Sequence, residues 1–192
     1  MHLVDRVKEK DESALIELME QYGDYLIRTA FLLLKDHQTA EEAVQDTFII
    51  AFDKMMQLDD PAKLKSWLTS IVTNCCRSRM RKWSWKNILL PFENDRVHED
   101  KTVDSPEEEL LGMIWNKNLS FAIHELDYKY REVITLYYFS EMKVNEIAQS
   151  TGEKENTIKS RLKRARFQLK EILMKGEDFL EEGEQAIKKT SR

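Results

Sequence analysis

From Lys154 to Lys170 the chain reads K-E-N-T-I-K-S-R-L-K-R-A-R-F-Q-L-K, with seven basic residues (Lys154, Lys159, Arg161, Lys163, Arg164, Arg166, Lys170) against one acid, Glu155. Ammonium and guanidinium groups at this density suit charge-assisted hydrogen bonding to phosphate oxygens, and side chains that reach further can donate to base edges. On a helical wheel Ile158, Leu162, Ala165 and Leu169 cluster within about 60°, so one face can bury while the opposite one stays wet and positive. Asn156, Ser160, Lys163 and Phe167 lie on that opposite face, flanked by Lys159 and Arg164. In a DNA-reading helix the N-terminal residues reach bases and later ones meet the backbone. Asn156, Lys159, Ser160 and Lys163 are therefore the candidates for the groove, and Arg161, Arg164 and Arg166 for phosphate. The competing reading is an ordinary solvated basic face.

The element that must position this helix comes just before it. Val144 to Ser150 is a short segment with its own apolar pair, Ile147 and Ala148, and Thr151-Gly152 forms the turn, where glycine takes positive φ at no steric cost. A short helix, a glycine turn and a basic amphipathic helix describe a helix-turn-helix.

A second basic island, Arg77 to Phe92, holds Arg77, Arg79, Arg81, Lys82 and Lys86 and no acid, with Trp83 and Trp85 interleaved. Cations with aromatics suit single-stranded or distorted nucleic acid, because unstacked bases need planar partners. Tryptophans packed on a core beside a snorkelling basic helix end are the alternative. Glu93 to Glu109 then carries eight acids and two bases, so the formal net charge of −5 averages over strong segregation.

The remaining pattern is helical. The chain has 192 residues with only five Gly and three Pro. Leu3 and Val7 start a periodic segment that runs on through Ala14, Leu15, Leu18 and Met19, and a second helix follows on Tyr22, Tyr25, Leu26, Thr29, Ala30 and Leu33. Thr39 with Glu42 has capping-box spacing ahead of a stripe on Ala40, Ala43, Val44, Thr47, Phe48, Ala51, Phe52 and Met55. That stripe leaves Asp46, Ile49, Ile50 and Asp53 on its far side, where two isoleucines framed by acids call for a cover: a neighbouring helix or a protein partner. Asp60-Pro61 starts the next helix, with Leu64, Trp67, Leu68, Ile71, Val72 and Cys75 on its stripe. Periodicity fails from Asn87 to Ser105. It returns after Ser105-Pro106-Glu107-Glu108 on Leu111, Ile114, Trp115, Leu119, Ala122, Ile123 and Leu126, and Asp127 caps a helix through Tyr130, Val133, Ile134 and Tyr137. From Gly176 the chain is a charged tail, with a short helix as the alternative.

No catalytic constellation, phosphate loop or metal-ligand spacing occurs: His2, His37, His98 and His124 sit in unrelated contexts, and Cys75 and Cys76 are adjacent, a spacing that disfavours an unstrained disulfide. The sequence has neither an apolar signal core nor a run approaching the ~20 residues of a membrane span. The expectation is a reduced, cytoplasmic, non-enzymatic protein without cofactor or metal. On the residues alone, a stand-alone DNA-binding regulator with a helical sensor domain and a protein-only adaptor both remain open.

Several segments together carry a resemblance. Ala40-Glu41-Glu42-Ala43-Val44-Gln45-Asp46-Thr47-Phe48, Ser66-Trp67-Leu68 with Ile71 and Asn74, Tyr130-Arg131-Glu132-Val133, Glu146-Ile147-Ala148, and Thr157-Ile158-Lys159-Ser160-Arg161-Leu162-Lys163-Arg164-Ala165-Arg166 occur in that order around an acidic segment. The chain resembles, over about residues 5 to 175, the extracytoplasmic-function (ECF) sigma factors of the sigma-70 class. The resemblance implies an all-α fold of two small helical bundle domains joined by a flexible acidic linker, the second containing the helix-turn-helix. It divides the chain into domain 2 at 1–86, a linker at 87–105, domain 4 at 106–175 and the tail at 176–192.

It also implies partners: core RNA polymerase through its β′ clamp helices and β flap, promoter DNA, and an anti-sigma factor of the kind often anchored in a membrane. Gln45, Asp46, Ile49, Ile50 and Asp53 would face polymerase. Lys63, Lys65, Asn74, Arg77, Arg79 and Arg81 would lie near the −10 strand, and Asn156, Lys159, Ser160, Arg161, Lys163 and Arg164 on the −35 element. The chain departs from the family pattern at Ser78, where Asp is usual, at Arg77, where an apolar residue is common, and at Glu155-Asn156, which replaces a small-Gly pair.

Overall fold

The structure, a computed structural model, describes residues 3–89 and 117–190, with side chains over 3–83 and 119–175. Among the described residues it is all helix. The order is α1 (Leu3–Lys8), α2 (Glu12–Leu34), α3 (His37–Lys54), short 3₁₀ turns at Met55–Gln57 and Pro61–Lys63, and α4 (Leu64–Leu89). Then come α5 (Lys117–Glu125), α6 (Tyr128–Ile134), a π-helical turn at Thr135–Phe139, α7 (Val144–Thr151) and α8 (Glu155–Thr190). The expected linker and the Ser105-Pro106 helix start lie almost wholly outside the described residues; α4 extends three residues past the expected boundary at 86, and α8 continues into the expected tail as far as Thr190.

Two apolar clusters organise the helices. Leu18, Leu26, Leu33, Ala43, Phe48, Leu68 and Val72 bury together between α2, α3 and α4. Val133, Leu136, Ile147, Ile158, Leu162 and Ala165 bury together between α6, α7 and α8. These are the stripes that periodicity picks out, and Tyr25 Oη adds a polar tie to Thr69 Oγ1 at 2.8 Å across α2 and α4.

Two helix starts differ from expectation. The first periodic segment is broken: Lys10 takes a left-handed φ of 64°, and Asp11 caps α2 by accepting from Ser13 N–H at 2.9 Å. Arg6 bonds Asp11 at 2.9 Å and Glu17 at 2.7 Å, clasping α1 onto α2, and Met19 is exposed. The start of α3 is capped not by Thr39 with Glu42 but by Asp36, whose carboxylate accepts from Thr39 N–H at 2.7 Å. A charged acceptor makes the stronger cap and moves the start upstream.

The two clusters meet along an interface of α2 with α5, α6 and the π turn, and of α4 with α7. Leu32 of α2 buries in the second cluster, while Tyr128 of α6 packs on the first. Tyr25 stacks on Phe139 with centroids 5.8 Å apart, and Phe31 meets His124 edge-on at 5.1 Å. Burial first, and then the charges of Arg131 and Lys35, lower the His124 pKa from 6.5 to about 4. The folded ring thus binds its proton only near pH 4 and the unfolded ring near 6.5, so the unfolded state holds more protons in between. Stability contributed by neutral His124 is complete above about pH 6.5 and is lost as pH falls toward about 4, a change of up to about 3 kcal/mol. Urea unfolding at about pH 7 and about pH 4.5 should show the drop, and His124→Asn should flatten it; an equal drop in the variant would rule His124 out.

Candidate nucleic-acid interface

The helix-turn-helix is built by local bonds. Glu146 accepts from Lys143 N–H at 2.7 Å at the start of α7. At its end Gly152 has φ 68°, and Glu153 N–H donates to Ala148 O at 3.1 Å, closing a Schellman turn that satisfies the last carbonyls. The glycine expected to turn left-handed does so. Helix α8 then seats Ile158, Leu162 and Ala165 in the core, with Leu169 half-buried. Asn156, Lys159, Ser160, Lys163 and Arg164 stand exposed along the opposite side. Arg161 is half-buried and donates to Glu153 Oε1 at 2.6 Å, pinning the turn to the helix that follows it. Lys159 pairs loosely with Glu155 at 3.7 Å. Arg161 therefore does structural work that its basic character alone does not reveal. Phe167 is 66% exposed, and Phe121 of α5 is comparably open at 65%.

The second basic group divides sharply. Lys63, Lys65, Asn74 and Arg81 are exposed, Arg77 and Arg79 half-buried, and Trp83 is 60% exposed. Arg79 donates to Asp46 Oδ2 at 2.7 Å, joining α4 to α3. A groove of about 750 Å³ runs between these helices, lined among others by Asp46, Ile50, Trp67, Ile71, Asn74 and Arg79. Trp67 and Ile50 are half-buried against the first core, whereas Ile49 is 62% exposed and Gln45 and Asp53 are open to solvent. Of the two isoleucines, only Ile49 is left uncovered.

Arg77 makes contacts that its place in a basic run does not reveal. It makes a two-pronged pair with Glu132 of α6, Nε to Oε1 at 2.6 Å and Nη2 to Oε2 at 2.7 Å, and its Nη1 donates to Thr151 O at 3.1 Å. Burial pulls the Arg77 pKa down, but the bonds to Glu132 outweigh it and the net shift is upward. Lys65 reaches over the Tyr25 ring and pairs with Glu141 Oε2 at 3.7 Å. Glu132 is 2% exposed, a buried carboxylate that sequence reasoning missed. The adjacent pair Arg131-Glu132 within an apolar run was the available signal, since a charge at a core position needs a partner. Arg131 is itself buried and donates to His124 O at 3.0 Å.

Cys75 and Cys76 are free thiols, both buried. Burial pushes Cys76 up to about 12 and raises Cys75 as well. Alkylation of Cys76 in the native protein should therefore run at least about a thousandfold slower than in urea, read by mass spectrometry, because the thiolate is the reactive form. Fast native labelling would contradict this burial. Among the described residues no His/Cys/Asp/Glu cluster could hold a metal ion, and no helix is long and apolar enough to cross a membrane.

Comparison with known proteins adds independent findings. The Sigma-70 region 2 pattern matches residues 18–86, and the Sigma-70, region 4 pattern matches 117–169. The RNA polymerase sigma factor SigV of Bacillus subtilis is 29% identical over 172 residues, covering 90% of this chain and 98% of its own. The ECF RNA polymerase sigma factor SigW of the same organism is 27% identical over 176 residues, covering 88% and 94%. Among solved structures, the sigma factor RpoE in complex with the anti-sigma factor NepR from Bartonella quintana superposes with TM-score 0.62 at 26% identity, over 82% of this chain and 97% of that one. CnrH, in complex with the cytosolic domain of CnrY, shares the fold with TM-score 0.61 at 22% identity, over 89% and 94%.

Proposed function

Because this chain belongs to the sigma-70 family, as a sigma factor of the ECF type, we propose a division of labour among its helices. As a sigma factor it directs core RNA polymerase to specific promoters; polymerase performs the chemistry, and the chain is not an enzyme. Residues 1–86 act as the unit that holds polymerase and captures the −10 strand, and 106–175 as the unit that reads the −35 element. On α8, Asn156, Lys159, Ser160 and Lys163 address bases, while Arg164 addresses phosphate. Arg161 contributes by fixing the turn through Glu153. Lys63, Lys65, Asn74, Arg77, Arg79 and Arg81 serve the melted strand. Gln45, Asp46, Ile49, Ile50 and Asp53 form the face toward the β′ clamp helices, and the second unit meets the β flap.

The observation that carries this reading is the exposed basic face of α8 on a correctly capped helix-turn-helix. It is joined to a region 2 unit whose outer face holds an uncovered Ile49 beside acids. RpoE is solved with an anti-sigma factor, which supports an anti-sigma partner for this chain too; in this reading the chain works in the cytoplasm. Gel shifts on duplex promoter DNA with and without core polymerase test the proposal. A sequence-specific complex that needs polymerase is expected; equal specific binding by the chain alone would instead make it a stand-alone regulator, and the complex should weaken steeply with salt.

A further inference from the structure

Helix α4 carries its buried stripe through Leu68, Val72, Cys75 and Cys76. Arg79 follows one turn later, three positions after Cys76 and four after Cys75, where that stripe runs out at the rim of the first core. Its side chain is 22% exposed, and its guanidinium reaches across to Asp46 Oδ2 of α3 at 2.7 Å. A side chain covered to that extent keeps few rotamers, so its charged end is delivered to one place.

Asp46 belongs to the face assigned above to core polymerase, on which Asp46, Ile49, Ile50 and Asp53 follow one another at helical spacing. The two acids of that face are held differently. Asp53 is 70% exposed and stands 3.9 Å from Lys10 Nζ, a loose ion pair beyond hydrogen-bond reach that fixes little. Asp46 instead accepts a short charge-assisted bond from another helix. A carboxylate has two oxygens, so engaging Oδ2 leaves the group able to accept a further bond while holding Oδ1 in one direction, one turn from the uncovered Ile49.

Two effects of Arg79 on a partner of this face have opposite signs. A partner that seeks carboxylates is repelled by a neighbouring cation and must compete with it for Asp46, so loss of Arg79 would tighten binding. Preorganisation acts the other way, because the partner does not have to freeze the Asp46 side chain itself.

We propose that Arg79, besides its place near the melted strand, is a positioning residue for core polymerase: it presets the Asp46 carboxylate to accept a bond from the partner as Ile49 is covered. The inference rests on the assignment of Asp46 to polymerase, and a double-mutant cycle separates the two. Full-length chain carrying a fluorescent label is titrated with core polymerase and no DNA, so that strand contacts play no part. Arg79→Met keeps the apolar stem, removes the charge, and should weaken binding by about fivefold, the scale of one side chain left to be ordered on binding. Asp46→Asn should weaken it by about twentyfold, the scale of a lost charged hydrogen bond. The double variant should be no weaker than Asp46→Asn, and Arg79→Lys should return to within about twofold of the parent.

The swapped pair Asp46→Arg/Arg79→Asp keeps a bond between the helices but offers polymerase a cation, and should bind no better than Asp46→Asn. Where Arg79→Met harms the fold in a thermal melt, Arg79→Gln replaces it with the same expectation. Tighter or unchanged binding by Arg79→Met, with Asp46→Asn still weakened, would overturn the positioning role and leave the polymerase face standing. Losses that multiply in the double variant would mean that Arg79 acts independently of Asp46, and full binding by the swapped pair would reduce the bond to a structural tie; either overturns the inference. Unchanged binding by Asp46→Asn would instead overturn the assignment of Asp46 to polymerase, and the inference with it.

Discussion

Leu162→Ala will release the recognition helix. Leu162 is 1% exposed and packs among Ile147, Ile158 and Ala165, with Val133 and Leu136 in the same cluster. Truncating a fully buried leucine removes its transfer free energy and leaves a cavity, together about 2–5 kcal/mol. A small helical unit has little stability to spare, so such a loss would populate its unfolded form. Duplex binding at the −35 element should therefore collapse, whereas polymerase binding through α3 should persist, since α3 belongs to the first cluster. Chemical denaturation followed by circular dichroism, with a polymerase pull-down, checks both halves. A variant that keeps full duplex affinity would show that α8 does not depend on this core.

The triple substitution Lys159→Ala, Lys163→Ala, Arg164→Ala should act in the opposite way, leaving the fold intact and removing the grip on DNA. All three side chains are exposed, so the stability change should stay within roughly 1–2 kcal/mol in total. Affinity of the polymerase complex for promoter duplex should fall by about a hundredfold or more. The slope of log affinity on log salt should flatten by about 0.9 for each phosphate that is no longer neutralised. The split is informative: Lys163→Ala alone should also relax preference at one base pair if it reaches the groove, while Arg164→Ala should weaken all sequences alike. An unchanged salt slope would remove α8 from the DNA.

How much of this could be read beforehand follows the range of the interactions. The core stripes of α3, α4 and α8 were legible because each repeats within one helix: Ala43, Phe48, Leu68, Val72, Ile158 and Leu162 all bury as their spacing requires. So was Gly152, because a left-handed residue between two helical segments leaves a chemical signature. The α3 cap was misplaced because Asp36 and Thr39 are both good cap residues, and only the geometry shows which one accepts the bond. Ile50 looked as uncovered as Ile49; one helical step decides that the first reaches the core and the second does not.

The deepest gap is Arg77. Sequence identifies it as one more cation in a basic run. Its partner Glu132 lies 55 positions away, on a different helix of the other unit. Nothing local distinguishes an arginine that will meet phosphate from one that meets a carboxylate, because the same guanidinium fork serves both. Arg161 and Glu153 repeat the lesson over a shorter span, 8 positions across the turn.

The account depends most on the pairing of this chain with core RNA polymerase. Purified chain and core enzyme should be combined on a pool of genomic fragments, and the transcripts sequenced from their 5′ ends. The account predicts starts that appear only when the chain is present, that share a pair of upstream elements at fixed spacing, and that vanish with the Lys159→Ala/Lys163→Ala/Arg164→Ala variant. Transcripts indistinguishable from those of core polymerase alone would contradict it.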